Sequence, residues 1–178
     1  TFLKVPIVYG AGRIEDYNYL VSEFIPSGRP HPEFWEDLGL GLAHLHLNHH
    51  PQFGLEYDNF IASLPQKNHH LPDWLDFFIE YRLEPLLGKA YFDKLIPLDF
   101  LKKFQSLYPK LESLFPREKP SLLHGDLWSG NILCGPEGRP FLIDPAIYFG
   151  HREMDLAFSR LFGGFDSKFY EAYESILP

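Results

Sequence analysis

Residues 121–155 read SLLHGDLWSGNILCGPEGRPFLIDPAIYFGHREMD, and this stretch decides the fold. Two short apolar runs, residues 132–134 and 141–143, flank a turn rich in glycine and proline. Glycine permits positive φ and proline fixes φ, so this pattern predicts a β-hairpin. Asn131 opens the first strand and Asp144 follows the second. The hairpin is therefore expected to bring these two polar side chains together.

Asp126 is the third acidic or amide residue of this region. The apolar pair Leu122 and Leu123 before it predicts a buried strand, and this strand leads into the polar loop that contains Asp126. Asn131 lies five residues past Asp126. Mg²⁺ prefers oxygen ligands, one or two from the protein, and Asn131 and Asp144 can supply them. Asp126 can then accept the proton of an attacking hydroxyl during phosphoryl transfer. The spacing therefore predicts a magnesium-dependent phosphotransferase site.

Protein kinases place the corresponding residues in H-R-D-x-x-x-x-N and D-F-G. This chain has HGDLWSGN at 124–131 and IDP at 143–145. Gly125 replaces the arginine that would hold a phosphorylated activation loop, and only ten residues separate Asp144 from Asp155. That interval is too short for such a loop and its anchoring segment, so a kinase of small molecules fits better than a peptide kinase.

The motifs HGDLWSGN, IDPAIYFGHREMDLA (143–157) and LFGGF (161–165) together resemble the fructosamine kinase (ketosamine kinase) family, relatives of the aminoglycoside and choline kinases. Residues 128–130 and 150–153 resemble the fructosamine kinases specifically. The likeness also covers four earlier segments: PSGRP at 26–30, QFGL at 52–55, NFI at 59–61 and FIEYRLEP at 78–85. It therefore extends over nearly the whole chain.

The resemblance implies an α+β, protein-kinase-like fold, with hinge strands, a mostly helical C-lobe and a catalytic-loop β-hairpin. Residues 1–25 would be a remnant of the N-lobe strands and the hinge, and residues 26–178 the C-lobe with the catalytic and metal-binding loops. The implied cofactors are ATP and Mg²⁺. The implied acceptor is a ketosamine, a fructosamine or a ribulosamine, either free or bound to protein, whose phosphorylation helps to reverse glycation.

The same resemblance assigns roles around the catalytic loop. Asp126 is the general base, and Asn131 and Asp144 hold Mg²⁺. His124 and Asp155 support the loop, Asp155 by accepting hydrogen bonds from its backbone. These three roles, base, metal ligand and support, are all expected within residues 124–155.

The family likeness also implies two binding regions. Backbone groups around Glu23, Phe24 and Ile25 would be the hinge that pairs with adenine. An ordinary edge strand that ends in a turn is an alternative interpretation of the same residues. Trp128 either stacks on a sugar ring or packs within the protein. His151 and Arg152 either contact the substrate or lock the segment that follows the metal-binding aspartate.

Other functions remain alternatives. One is phosphorylation of an aminoglycoside or an amino alcohol such as choline, against which Trp128 and the GHRE segment argue. Another is a kinase-like binding module without catalysis. A metal-dependent hydrolase that uses His124, Asp126, Asp144 and His151 is the least favoured.

A glycine-rich loop over the phosphates and a lysine that pairs with them are expected in a kinase, and neither is found here. Lys4 is the only lysine before Lys67, and it lacks the V-A-I-K frame. The family carries these elements upstream of the segment that matches Thr1. We therefore expect this sequence to be part of a longer kinase and expect these residues alone to bind ATP poorly.

The composition restricts the classes of molecule that the protein is expected to bind and its expected location. The chain of 178 residues has a formal net charge of −8, which argues against nucleic-acid or anionic-membrane binding because both need basic surface. A single cysteine, Cys134, excludes an internal disulfide framework and suits a reducing compartment. No run approaches the ~18 apolar residues of a membrane span. The cytoplasm is the expected location.

The spacing of apolar residues, together with the positions of proline, glycine and capping residues, predicts the remaining helices and strands. Strands are expected over residues 2–9 and 17–25 with a turn at 10–13, and a loop-rich crossing over 51–70. Helices are expected after Pro32, from Asp73 to Pro85, from an Asp99 cap to Leu114 with a break at Pro109, over 152–162, and after a Ser167 cap. The histidines at 44, 46, 49 and 50 are interpreted as polar groups at a helix C-terminus rather than as a zinc site.

Overall fold

The computed structural model describes residues 3–178, so the first residue of the predicted strand over 2–9 lies outside the described part. The chain forms two compact units that are interleaved along the sequence. The first contains Thr1–Leu47, Asp126–Pro145 and Asp155–Pro178, and the second contains Asn48–Gly125 and Ala146–Met154. The mixture of helices with four two-stranded sheets in residues 3–178 confirms the α+β class. The boundary expected after residue 25 stays a prediction.

The first unit begins with an antiparallel hairpin, β1 (Val8–Ile14) and β2 (Tyr17–Ser22). Its turn lies at residues 15–16, where Glu15 has φ 53°, so the turn predicted at residues 10–13 is wrong. Gly10 and Gly12 lie within strand β1 instead of in a turn. Gly10 ends a register shift, as glycine in a strand often does at a bulge, and a Cβ at Gly12 would collide with the Tyr19 ring across the hairpin.

Two helices and the catalytic-loop hairpin form the core of the first unit. Helix α1 (Phe34–His46) packs against α7 (Ser167–Glu174). A Cβ at Gly39 would collide with the carbonyl oxygen of Phe169, so this helical glycine permits close packing. The shared core consists of Leu38, Leu42, Ala43, Leu127, Leu142, Phe169 and Tyr173. Burial of these apolar side chains is the main stabilising contribution in this unit.

The predicted catalytic-loop hairpin is confirmed. Strand β6 (Ile132–Cys134) pairs antiparallel with β7 (Pro140–Leu142), and a short 3₁₀ turn (Pro136–Gly138) joins them. The main-chain N–H of Leu142 also donates to the carbonyl of Lys4 at 2.9 Å. The start of the described chain therefore extends this small sheet on the β7 side.

The long helix predicted to end at Pro85 continues past it, so that end is wrong. Asp73 caps α2 (Trp74–Phe78), a π-helical turn follows (Ile79–Leu83), and α3 (Glu84–Phe92) continues directly. Pro85 lies in the first turn of α3, where a missing N–H is tolerated. The π turn spaces the chain so that the proline ring does not interrupt a regular α-helix.

Pro109 divides the next helical region, as predicted: α4 (Leu98–Gln105) precedes it and α5 (Tyr108–Leu111) contains it at the first turn. Asp99 is not the cap, because Pro97 occupies that position. The last helix is corrected in the same way. Asp166 rather than Ser167 caps α7, and its carboxylate accepts a hydrogen bond from the N–H of Lys168 at 3.0 Å.

The second unit contains two further sheets. Strand β5 (Ser121–Leu123) pairs with β8 (Tyr148–Gly150), which confirms the strand predicted from Leu122 and Leu123. The stretch expected to be a loop holds a hairpin, β3 (Asn59–Ile61) and β4 (Leu64–Gln66). These strands were missed because three residues are too few to show alternation. The core consists of Phe53, Leu55, Trp74, Phe77, Leu123 and Tyr148.

Helix α6 (Glu153–Phe162) begins one residue later than predicted and leads to the glycine pair before α7. Across residues 3–178, each helix is too short or too polar to span a lipid bilayer.

Candidate active site

The loop from Asp126 to Asn131 is closed by its own hydrogen bonds. The side-chain amide of Asn131 donates to the main-chain oxygen of Asp126 at 2.9 Å and to its carboxylate Oδ2 at 3.0 Å. The main-chain N–H of Trp128 also donates to the Asp126 carbonyl, at 3.1 Å. Leu127 is fully buried in the core of the first unit and anchors the loop from below. The Asp126 carboxylate is thus held in a fixed position.

The hairpin register places the backbone of Asn131 opposite Ile143, one residue before Asp144. Ile132 is opposite Leu142 in the register, and the next pair is joined by a hydrogen bond from the N–H of Ile143 to the carbonyl of Asn131 at 3.0 Å. Asp144 follows directly and is exposed, with φ 50°. Aspartate tolerates this left-handed conformation better than most residues, because its short polar side chain can bond locally.

The donor set at this point fits a hard cation. The amide nitrogen of Asn131 is used by Asp126, which leaves its Oδ1 as an oxygen ligand. Within residues 3–178, neither this oxygen nor the Asp144 carboxylate accepts a hydrogen bond. One amide oxygen and one carboxylate are typical protein ligands of Mg²⁺, which takes its remaining ligands from water and phosphate. These residues therefore fit the ion that the sequence predicted.

The predicted hinge lies beside the end of β6. The N–H of Gly28 donates to the carbonyl of Cys134 at 2.7 Å, and a Cβ added at Gly135 would lie 3.0 Å from Cγ2 of Ile25. The N–H of Glu23 is already bonded to the carbonyl of Ile7 at 2.7 Å, so it is not available to a nucleotide. The carbonyl of Glu23 and the N–H of Ile25 have no backbone partner within residues 3–178. Phe24 is 84% exposed.

Trp128 combines packing with exposure. Its ring covers Gly130, where an added Cβ would collide with the indole, and it lies 6.3 Å from the Phe162 ring, centroid to centroid. The side chain is still 41% exposed. One part of the indole is therefore fixed by the protein, and the rest is available to a ligand.

A buried chain of polar groups was missed by the sequence analysis. Nδ1 of His46 lies 2.8 Å from the hydroxyl of Tyr173, and its Nε2 lies 3.1 Å from Oδ2 of Asp155. All three side chains are buried, so His46, in the last turn of α1, is part of the core as well as a polar group at the helix end. The signal was present, because residues 34, 38, 42 and 46 fall on one helix face at intervals of four. The support that Asp155 gives to the loop backbone stays a prediction.

His124 and Gly125 belong to the second unit and directly precede Asp126 in the sequence. His124 is buried, and its carbonyl accepts a hydrogen bond from the N–H of Ala146 at 2.9 Å. Gly125 has φ 81°, and a Cβ there would collide with the carbonyl oxygen of Ala146. Glycine is therefore required at position 125 on steric grounds. This reason is separate from the sequence argument that no arginine is needed there to hold an activation loop.

His151 and Arg152 are both bonded to the segment before β5. His151 is buried, its Nε2 lies 3.0 Å from the carbonyl oxygen of Pro116, and its ring contacts Trp74 and Phe115. Nε of Arg152 lies 2.9 Å from both carboxylate oxygens of Glu118. These contacts favour a locking role for both residues over direct contact with a substrate.

A network of amides holds the segment that follows Asp144. Asn59 donates to the carbonyl of Ile147 at 2.8 Å, and Gln66 donates to the carbonyl of Ala146 at 3.1 Å and to Oδ1 of Asn59 at 2.9 Å. Sequence reasoning missed this network. A run such as NFI carries no sign that its asparagine reaches a main-chain carbonyl 88 positions away.

Asn68 and Arg82 complete that network. Nδ2 of Asn68 donates to Oδ1 of Asn59 at 2.9 Å, and the Arg82 guanidinium donates to Oδ1 of Asn68 at 2.7 Å. The guanidinium lies between two aromatic rings, 4.7 Å from the centroid of Phe77 and 4.1 Å from that of Tyr148. Burial lowers the pKa of Arg82, but an arginine in this setting stays charged.

Comparisons with known proteins agree on one family. The family profile described as fructosamine kinase matches residues 1–178. The chain is 39% identical to a probable ketoamine kinase from Enterococcus faecium and 40% identical to one from Lactiplantibacillus plantarum. The two alignments include 99% and 98% of this chain, respectively. They include only 64% and 62% of the two relatives, so this chain spans less than two thirds of their length.

Solved structures give the same result. A crystal structure of a candidate fructosamine-3-kinase from Thermobifida fusca superposes with a TM-score of 0.87 at 34% identity, and one from Haemophilus somnus with 0.88 at 31% identity. The match covers 98% and 99% of this chain and 59% of each of those chains. The expected kinase-like fold is thereby confirmed.

Proposed function

The chain belongs to the fructosamine kinase family, and we propose that the protein transfers a phosphoryl group from ATP to a sugar hydroxyl of a ketosamine. The observation that carries this proposal is the placement of Asp126, Asn131 and Asp144 by one closed loop and one hairpin. The chain spans less than two thirds of the relatives it matches, so the activity is proposed for the whole protein.

Asp126 acts as the general base in this proposal. Its carboxylate accepts the hydroxyl proton as the acceptor oxygen attacks the γ-phosphorus, and the bond from that phosphorus to the β–γ bridging oxygen breaks. The hydrogen bond from Asn131 keeps the carboxylate in place. Asn131 Oδ1 and the Asp144 carboxylate would hold Mg²⁺, which neutralises phosphate charge when bound.

ATP is proposed to bind along the hinge. Adenine offers one donor and one acceptor on the same edge, and the carbonyl of Glu23 and the N–H of Ile25 are the complementary pair. The N–H of Glu23 is bonded to Ile7 and has no part in this contact. The exposed ring of Phe24 is available to cover the base.

The acceptor is proposed to be a fructosamine or ribulosamine, free or attached to protein. The exposed part of the Trp128 ring is suited to stacking on a sugar, because aromatic faces bind the apolar faces of pyranose and furanose rings. The net charge of −8 tolerates a cationic amine carrier. Phosphorylation would destabilise the ketosamine and so reverse glycation. We place this activity in the cytoplasm, where a lone cysteine stays reduced.

The test is an acceptor panel with the whole protein, ATP and Mg²⁺: a fructosamine of lysine, the matching ribulosamine, an aminoglycoside and choline. We expect phosphorylation of a ketosamine, identified by mass spectrometry of the product. Phosphorylation of only the aminoglycoside or choline would support those alternatives instead. Nucleotide binding without turnover of any acceptor would overturn the proposal in favour of a binding module.

Asp126→Asn tests the assigned base. Asparagine keeps an acceptor for Asn131 but cannot take a proton, so turnover is expected to fall by about 10²- to 10⁴-fold. Asp16→Asn is the matched control, because Asp16 is in the β1–β2 turn with its side chain 96% exposed and paired only with Arg13. Equal turnover in Asp126→Asn and the control would refute the assignment.

A further inference from the structure

We propose that His50, Glu56 and His70 form a binding site for a transition-metal ion, best suited to Zn²⁺. One ligand atom from each of these side chains lies within 4.8 Å of the others. All three belong to the second unit, and none has a role in the proposed phosphoryl transfer. The inference therefore does not depend on the proposed function.

Main-chain pairing brings the three residues together. Phe53 and Leu71 exchange two hydrogen bonds, at 2.9 and 3.0 Å, and the N–H of Leu55 donates to the carbonyl of Asn68 at 2.7 Å. The segment that carries His50 and Glu56 thus runs antiparallel to the segment that carries His70.

Gly54 allows the His70 ring to approach the backbone. It has φ 116°, and an added Cβ would lie 3.1 Å from Cδ2 of His70 and closer still to the carbonyl of Asn68. A side chain at position 54 would therefore push the imidazole away. The absence of a side chain at Gly54 therefore allows the His70 ring to reach the other two ligands.

His50 is oriented as a metal-binding histidine usually is. Its Nδ1 lies 2.8 Å from the carbonyl oxygen of Gln52 and 3.1 Å from the main-chain nitrogen of the same residue. One tautomer accepts the Gln52 N–H at Nδ1. The other donates Nδ1–H to the Gln52 carbonyl and leaves a lone pair on Nε2 for a metal, and carbonyl contacts of this second kind commonly orient metal-bound imidazoles. The ring stacks on that of His70, with centroids 4.7 Å apart and an interplanar angle of 23°.

His70 supplies an independent sign of a missing partner. Its Nε2 is buried and has no hydrogen-bond partner within residues 3–178. A buried polar nitrogen without a partner costs free energy, so such atoms are rare unless they have a bound ligand, an ion or a water molecule. The exposed carboxylate of Glu56 likewise has no partner among these residues, so its rotation towards the imidazoles breaks no existing bond.

The donor chemistry selects the metal. Two imidazole nitrogens and a carboxylate suit Zn²⁺, whereas Mg²⁺ prefers an all-oxygen set. Ligand atoms about 2.1 Å from a tetrahedral ion are about 3.4 Å apart, so the three must close inward from their present spacing. The exposed Glu56 side chain can make most of that movement. A water molecule would complete four ligands.

Zinc binding is measured by isothermal titration of the metal-free protein, with Co²⁺ absorption as the readout of ligand geometry. Both use an Asp144→Asn background, so that the proposed magnesium site contributes little. We expect one equivalent of Zn²⁺ and a visible Co²⁺ spectrum typical of tetrahedral nitrogen–oxygen ligation. Stoichiometry near zero, or a purely octahedral Co²⁺ spectrum, would overturn the site.

Three variants locate the binding. His50→Ala, His70→Ala and Glu56→Gln are each expected to weaken zinc binding by about tenfold or more. Glu56→Gln changes an exposed side chain that has no partner within residues 3–178, so we expect it to remain folded even where a histidine variant does not. His69→Ala is the matched control, because that neighbouring ring contacts Tyr81 instead. Retention of wild-type affinity in Glu56→Gln, or equal loss in His69→Ala, contradicts the proposal.

Discussion

The side-chain amide of Asn131 lies 3.0 Å from a carboxylate oxygen of Asp126 and donates to it. In the proposed mechanism, one residue therefore orients the base with its nitrogen and would offer its oxygen to the proposed magnesium ion. Each of the two functions needs a different half of the same amide, which is why neither aspartate nor alanine can replace it fully. Aspartate keeps an oxygen ligand but loses the donor, and alanine loses both.

This division predicts different results for Asn131→Asp and Asn131→Ala. Both variants should lower turnover, because Asp126 loses its orienting donor. Only Asn131→Ala should also raise the Mg²⁺ concentration needed for half-maximal activity, by about 10- to 100-fold. The measurement is a magnesium titration of the initial rate at saturating ATP. An unchanged magnesium requirement in Asn131→Ala would argue against Asn131 as a ligand.

Gly125→Ala is expected to destabilise the protein by at least about 2 kcal/mol, because it adds a Cβ at positive φ and against the Ala146 carbonyl. Gly88→Ala is the matched control. Gly88 is in helix α3 with open space around it, so alanine there should stabilise by about 0.5–1 kcal/mol. Denaturant unfolding of both variants measures the difference, and equal effects would contradict the steric argument.

Tyr173→Phe removes the hydroxyl that contacts Nδ1 of His46. A buried imidazole nitrogen then loses a partner, which should lower the free energy of unfolding by about 1–3 kcal/mol. Tyr91→Phe is the control, since Tyr91 is exposed and its hydroxyl has no hydrogen-bond partner within residues 3–178. Chemical denaturation monitored by circular dichroism gives both values. A Tyr173→Phe variant as stable as the control would show that the buried chain contributes little.

Asp73→Ala should cost about 1 kcal/mol, because the Asp73 carboxylate accepts hydrogen bonds from the N–H groups of Leu75 and Asp76 at 2.8 and 3.2 Å. Asp99→Ala should change stability by less than about 0.5 kcal/mol, since Asp99 lies inside the first turn of α4 and does not cap it. Thermal unfolding of the two variants side by side tests this pair. The reverse order would restore the cap that the sequence predicted at Asp99.

The parts of the fold that local chemistry determines were predictable. The turn residues between 135 and 138 specify the β6–β7 hairpin, and the hairpin by itself places the backbone of Asn131 opposite Ile143, one residue before Asp144. Likewise, the aspartate before Trp74 marked a true helix start, and Pro109 marked a true break. In each case the deciding residues lie within a few positions of the feature they determine.

The parts that failed depend on contacts between distant segments. Glycines at 10 and 12 look like a turn until Tyr19 is placed across the strand, and Pro85 looks like a helix end until the π turn is seen. The steric need for Gly125 depends on Ala146, twenty-one positions later. Such information is carried by tertiary packing, and no short window of sequence contains it.

The amide network of Asn59, Gln66 and Asn68 has a consequence for how the proposed enzyme would respond to acidity. Neutral amides do not titrate, and the Arg82 guanidinium stays protonated, so these attachments keep their charge from about pH 4 to pH 10. The residues directly after Asp144 are thus tethered by groups that neither protons nor dissolved salt displace easily. Within that range, a change of rate with pH would therefore not arise from loss of these amide contacts.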